Sequence, residues 1–425
     1  MIKFFTLLLF VFPSLFSQVI ILHCGVLIDG SEKPTSRVVS ILIDKDRIVD
    51  ISEGYTNPGP NDVLIDLNGY TVLPGLMDMH THLSVESSKN IYLERYTKNL
   101  DDYAYQSINY AEKTLYAGFT TVRDLGGPIN NSLRDAIKKG LLPGPRIFSA
   151  GQAIATTGGR AYPTKGMEYE LMGDLGPSFG VINGTIEASK AVRYQYKRGS
   201  DLIKITATGN VLSLGKSGQN PQFSEEEIRA IVETAADYNM HVAAYANGPE
   251  GIKRAVRAGV RSIEHGALMD QESISLMKDY GTYYVPTLSA GEFVSEKAKE
   301  TGYYPELVRK KAKLFGPKIK ETFKKALGGN LKIVFGTNSG VSVHGENAKE
   351  FVYMVEGGMK PLDAIKSATI NAAKLLKIEA DLGSIEVGKI ADIIAIKGNP
   401  IEDISLLQKT FFVMKNGKIY KNITR

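Results

Sequence analysis

The stretch SEEEIRAIVETAADYNMHVAAYANGPEGIKRAVRAGVRSIEHG, Ser224 to Gly266, alternates helical and strand-like segments. SEEEIRAIVETAADYN opens with Ser224 and Glu227 at capping-box spacing, which predicts a helix start. HVAAYANG follows as a short apolar run ended by Asn and Gly, and SIEHG repeats that texture after the next polar stretch. The same alternation runs in both directions from here. FTTVRDLGG follows a helical segment ending AEKTLYAG, LIKITATG follows EASKAVRYQYKRGS, and TYYVPTLS and KIVFGTNSG continue the series. Strand–helix units repeated over residues 76–375 predict an α/β fold of the parallel (β/α)8 TIM barrel type. A doubly wound open sheet is the alternative, but no G-x-G-x-x-G follows the first strand.

The two ends of the chain differ from the middle. VIILHCGVLIDG, RVVSILIDKDRIVDISEG and DVLIDLNGYTVLPG are β-branched runs closed by turn residues, and LGSIEVGKIADIIAIKGNP and TFFVMKNGKIYKN repeat the texture near the C-terminus. Isolated hairpins are only marginally stable. Residues 18–75 and 376–425 are therefore expected to meet as one small composite β-sandwich domain, with residues 76–375 as the barrel.

Composition sets the broad class. The 425 residues are 43% hydrophobic and 23% charged, as in an ordinary soluble globular protein. A net charge of +5 without a Lys/Arg run implies neither nucleic acid nor an anionic membrane as partner. The opening MIKFFTLLLFVFPSLFSQ has one basic residue, an apolar run from Phe4 to Phe16 and a small residue at Ser17. That is the pattern of a cleaved signal peptide, and the run is shorter than the ~20 residues of a spanning helix. An exported protein, periplasmic or secreted, is expected, with residues 1–17 removed and no membrane association afterwards. The single Cys24 cannot form an intramolecular disulfide, and His23 before it fits a lipid-anchor cleavage site poorly.

In a (β/α)8 barrel the functional residues stand at the C-terminal ends of the strands. Those ends hold His80 and His82 in GLMDMHTHL, Lys204 in LIKITATG, Tyr245, His265 and Asn338. His80 and His82 are two apart on an extended run, so both face the same side and can chelate one ion.

These motifs resemble the amidohydrolase superfamily, in its imidazolonepropionase-like and Xaa-Pro dipeptidase-like branch. VLPGLMDMHTHL, AGFTTVRDLGG, GVRSIEHG, GENAKEF, ATINAAKLL and LGSIEVGKIADIIAIKGNP carry the resemblance, which spans nearly everything after the first segment. It implies a hydrolytic site with one or two divalent ions, usually zinc. His80 and His82 match the H-x-H ligands, Lys204 matches a lysine carboxylated by CO₂ to a metal-bridging carbamate, and His265 matches the histidine after the sixth strand. Asp124 is expected to tie the barrel mouth together by hydrogen bonds.

The chain then departs from the family pattern. Tyr245 stands where a histidine ligand is usual, with Asn247 two residues on. Asn338 stands for the aspartate that takes the proton of the attacking water, and Arg160 for the histidine of a TGGH loop. Asparagine keeps the shape of aspartate but cannot accept that proton. A phenol with a free pKa near 10 is a poor ligand unless an ion depresses that value. His241 lies four residues before Tyr245, ~13 Å towards the wrong end of the strand. His344, in the loop after the eighth strand, is a candidate proton shuttle or loop cap. Arg160, Tyr283 and Asn247 are candidate substrate contacts, Arg160 through a fork of donors suited to a carboxylate.

Two functions are consistent with these residues. One is a metal-dependent hydrolase of amide bonds in small carboxylate-bearing substrates, such as Xaa-Pro dipeptides or N-acyl amino acids. It would hold one divalent ion, zinc by the resemblance, with the second ion short of its donors. The other is an exported binding protein or pseudoenzyme that keeps the pocket without the chemistry. The substrate or ligand is a small molecule, and homo-oligomerisation is left open.

Overall fold

The computed structural model describes residues 18–30, 38–162, 173–209 and 219–424. The signal segment expected at residues 1–17 lies outside them. Among the described residues no helix is long and apolar enough to cross a membrane.

The N-terminal runs form β1 (Val19–Leu27), β2 (Val39–Asp44), β3 (Arg47–Glu53) and β4 (Val63–Pro74). Next come β5 (Leu76–Thr81), β6 (Phe119–Asp124) and β7 (Arg146–Ser149), a parallel three-stranded sheet. A short parallel pair, β8 (Ala155–Thr156) and β9 (Val181–Ile182), follows. A five-stranded parallel sheet then comprises β10 (Ile203–Thr206), β11 (Val242–Ala246), β12 (Ser262–His265), β13 (Tyr283–Val285) and β14 (Lys332–Ile333).

Backbone bonds join the two parallel sheets at both seams. Asp201 N donates to Ser149 O (2.8 Å) and Ile154 N to Lys204 O (2.8 Å) between β7 and β10. Met79 N donates to Phe335 O (3.0 Å) and Asn338 N to His80 O (2.7 Å) between β5 and the segment after β14. Eight parallel strands thus follow one another around a circle, as the alternating sequence predicts for a (β/α)8 barrel. Strands such as β5, β6 and β11 are buried at every position. Both of their faces are covered, which is why they lack polar alternation.

The helices follow their local signals. Ser224 Oγ accepts from Glu227 N (3.2 Å) and the Glu227 carboxylate accepts from Ser224 N (2.9 Å), so the helix Glu225–Asp237 begins at the expected capping box. Pro249 opens the helix Pro249–Arg257, which buries Ile252, Ala255 and Val256 against the barrel. Gly259, at φ 92°, then turns the chain into β12, a conformation that a Cβ disfavours.

The C-terminal β15 (Ile393–Lys397), β16 (Thr410–Lys415) and β17 (Lys418–Asn422) join β1–β4 in one mixed sheet of order β17-β16-β15-β4-β1-β2-β3. The two ends of the chain therefore meet, through β4 paired with β15. They form one continuous mixed sheet. It curls until Ile48 N reaches Lys389 O (2.9 Å), enclosing a core that includes Leu22, Ile41, Leu67, Ile393 and Phe412. Cys24 lies within this core, free and fully buried, and burial pushes its thiol up to about 12.

Candidate metal centre

The C-terminal ends of the barrel strands surround a cavity of about 240 Å³ lined by His80, His82, Arg160, Lys204, Tyr245 and His265, among others. His80 and His82 leave β5 on one side, with ring centroids 5.4 Å apart. His265 approaches from β12, its ring 4.8 Å from that of His80 and 4.7 Å from that of Tyr245.

Each of the three imidazoles is held through Nδ1. His80 Nδ1 donates to Glu264 Oε2 (2.8 Å), His82 Nδ1 donates to the Gly126 carbonyl (2.7 Å), and His265 Nδ1 bonds Thr287 Oγ1 (2.7 Å). That pattern leaves Nε2 of each ring for the cavity, the tautomer and orientation that metal-binding histidines need. Glu264 is itself anchored by Arg123 Nη2 (2.7 Å) and Ser262 Oγ (2.6 Å).

The backbone at these strand ends is unusual. His265 (φ 71°), Thr287 (φ 55°) and Asn338 (φ 58°) are all left-handed, which for β-branched Thr287 is a genuine outlier. Such residues cost of order 1–3 kcal/mol each and cluster at functional sites. Tyr284 Oη donates to His265 O (2.9 Å), and Glu350 accepts from Leu288 N (2.8 Å) and Ser289 N (2.6 Å), pinning the chain on either side of Thr287. Gly340, at φ 110°, lies so close to His82 that a Cβ there would be 2.8 Å from the His82 Cβ.

Electrostatically the cavity is positive. Burial pulls the Lys204 ammonium down to about 7, with Arg160 and Arg123 adding repulsion and Glu264 opposing them. Its Nζ is buried without a hydrogen-bond partner. Burial first, and then the neighbouring cations, hold His82 down at about 3 and His80 and His265 well below the usual imidazole range. All three rings are therefore neutral, the ligand form. Arg160 stacks its guanidinium 4.1 Å over the Tyr245 ring, and its buried Nε has no partner. Asn338 Oδ1 is likewise buried and unpartnered.

Among the described residues no three His, Cys, Asp or Glu side chains close into a metal cage by themselves. A single ion would therefore need Lys204, as an anionic carbamate, in addition to the three imidazoles. The donor set fits a second ion poorly, because a guanidinium cation covers Tyr245.

Other expected site residues lie elsewhere. Asn247 is fully buried and donates from Nδ2 to Tyr245 Oη (2.7 Å), bracing Tyr245 from behind and away from the cavity lining. Tyr283 is the first residue of β13, so it sits at the opposite end of the barrel, between Arg261 (5.5 Å) and Lys332 (5.6 Å). The substrate-side end of that strand is Thr287, two residues beyond β13. His344 is buried under Tyr110 (4.7 Å, stacked), with Nε2 donating to Val85 O (2.8 Å). It caps the loop after β5 and is not among the residues lining the cavity. Asp124 accepts from Leu83 N (2.7 Å), Gly126 N (3.1 Å) and Asn130 Nδ2, which ties the barrel mouth together. Glu264, Thr287 and Glu350 did not stand out in the sequence. Glu264, directly before His265 in SIEHG, carried the one readable signal.

Known proteins agree with this architecture. A crystal structure of a Xaa-Pro dipeptidase with methionine bound in its active site is 51% identical, covering 95% of this chain and 100% of that one at a TM-score of 0.91. A prolidase complexed with N-methylphosphonate-L-proline is 32% identical over 95% of this chain and 100% of its own, at a TM-score of 0.86. Ochratoxinase from Aspergillus niger is 32% identical over 95% of this chain and 87% of its own length. The amidohydrolase family model matches residues 71–423. With a barrel, a histidine-lined cavity at its C-terminal face and a match over most of its length, the chain belongs to the amidohydrolase family, hydrolases that act on carbon–nitrogen bonds.

Proposed function

We propose that this chain is an exported hydrolase that cleaves the amide bond of small carboxylate-bearing substrates, Xaa-Pro dipeptides or N-acyl amino acids, with one divalent ion. Arg160 carries this reading: a guanidinium in the cavity, braced on Tyr245 with a buried unpartnered Nε, calls for an anion. The similar structures of a Xaa-Pro dipeptidase and a prolidase support the substrate class. The apolar segment Phe4 to Phe16 supports export.

His80, His82 and His265 would hold the ion through Nε2, and Lys204 through a carbamate. The neutral Lys204 amine adds to CO₂ and loses one proton, leaving an anionic oxygen donor in place of a cation. When bound, a divalent ion polarises the scissile carbonyl and makes a water acidic near neutral pH. Arg160 orients the substrate by its carboxylate. Asn338 Oδ1 offers a hydrogen-bond acceptor but no basic site, so proton removal from the attacking water loses the ~10²–10⁴-fold that a general base contributes.

The Asn338 and Tyr245 positions favour a second reading, a binding protein in which the pocket holds its ligand without turning it over. Metal analysis and turnover against Xaa-Pro dipeptides and N-acyl amino acids, in the native protein and in Tyr245→His/Asn338→Asp, separate the two. We expect about one zinc per chain by the tetrahedral site logic. Native turnover should be slow and rise about 10²-fold or more in the double variant. Activity confined to the double variant supports the binding protein, and metal-free, inactive protein in both forms sinks the hydrolase.

A further inference from the structure

A second, smaller cavity opens beside the first and shares Arg160, Tyr245 and His265 with it. Beyond these residues its walls are mostly apolar, Ala290, Val294, Phe315, Ile319 and Val341, with Thr287 and Asn338 at the polar side and Arg160 the one charged residue in its lining. The walls come from the helices Leu288–Lys297 and Glu306–Gly328 and from the loop after β14. The two helices cross closely at Gly291, where a Cβ would stand 3.0 Å from Ile319 Cδ1. The Gly291 backbone and the Ile319 side chain therefore close the cavity between the helices. Its volume is about 50 Å³. A water-sized atom takes roughly 10–15 Å³ of such space, so there is room for about three to five heavy atoms.

We propose that this cavity is a specificity pocket for a medium aliphatic or thioether side chain, of leucine or methionine size, on the residue held in the main cavity. Ala290 and Ile319 set the length it accepts. The proposal rests on the reading that the main cavity takes a carboxylate-bearing, amino-acid-like ligand. A glycine derivative leaves the pocket unfilled, and an indole exceeds it.

The test is calorimetric titration of the intact protein with N-methylsulfonyl amino acids, sulfonamides that keep the carboxylate and resist hydrolysis. Across glycine, alanine, valine and leucine the affinity should rise about fourfold per added methylene. Methionine should match leucine, and tryptophan should fall back. Ala290→Leu should erase the gain for leucine and methionine while glycine binding persists, which also shows that the variant is folded. Ile319→Ala should move the optimum towards phenylalanine. A flat series in which the glycine derivative still binds overturns the pocket but leaves the carboxylate reading standing. A chain-length preference unchanged in both variants also overturns it. If no derivative binds and no dipeptide is cleaved, both readings fall.

Discussion

Lys204 is the residue at which function and stability pull hardest against each other. An unfolded lysine titrates near 10.4, whereas burial brings Lys204 down to about 7. Between those values the unfolded chain binds the extra proton. This group therefore makes stability rise with pH from about 7 to 10 and penalises the folded state at neutral pH. In metal-free protein kept clear of CO₂, Lys204→Met should raise stability at pH 7 on the order of 1–4 kcal/mol, as when other buried charges yield to apolar groups. It should also flatten the pH dependence above 7 and abolish metal binding. Urea denaturation at pH 7 and 9 with metal analysis checks this, and a destabilised variant with its slope intact would contradict it. Lys204 was legible in the sequence because a lysine inside the apolar run LIKITATG needs a reason. Thr287, which holds His265, was not, since a threonine after a proline in a strand-like run carries no mark of its left-handed backbone.

At the scale of elements, the site depends on how one helix starts. Glu350 accepts from Leu288 N, Ser289 N and Ser289 Oγ, so a single carboxylate anchors the first turn of Leu288–Lys297. Burial raises its pKa to about 7, although these donors favour the charged form. Glu350→Gln turns an amide NH₂ towards a backbone N–H and should cost about 1–3 kcal/mol. Because that turn presents Thr287 Oγ1 to His265, metal affinity should also fall by about 10–100-fold, the usual effect of losing an outer-shell partner. Thermal unfolding and competitive zinc titration measure the two, and stability loss with zinc affinity unchanged would separate the helix start from the site. The alternation of strands and helices and the capping box at Ser224 were visible in the sequence as local signals. The end of β13 was not. TYYVPTLS has no charged residue and no polar alternation, so pattern alone could not show that Tyr283 starts the strand and Thr287 lies beyond its end.

At the scale of the whole molecule, the terminal sheet and the barrel are coupled through a shared apolar core and a set of polar contacts. Asp392, beside β15, accepts from Arg146 of β7 (2.8 and 3.3 Å) and from Asn416 N (2.9 Å). Asp392 is buried while Arg146 is partly exposed. Asp392→Ala should therefore cost about 3 kcal/mol, the lower end for breaking a buried pair. A two-phase denaturation curve in this variant would show that the sheet and the barrel can unfold separately, and an unchanged midpoint would show that the pair does not couple them. The sequence by itself determined the alternation that makes a barrel, the β-rich ends, the histidine pair and the residues at which this chain leaves its family's pattern. Those are local properties of periodicity and residue chemistry. Only the tertiary structure decided which of the candidates share a cavity. Strand registers and left-handed strand ends bring His265, Arg160 and Lys204 together over Tyr245 while sending Tyr283 and His344 elsewhere. Packing between residues hundreds of positions apart sets those registers, and no local pattern records it.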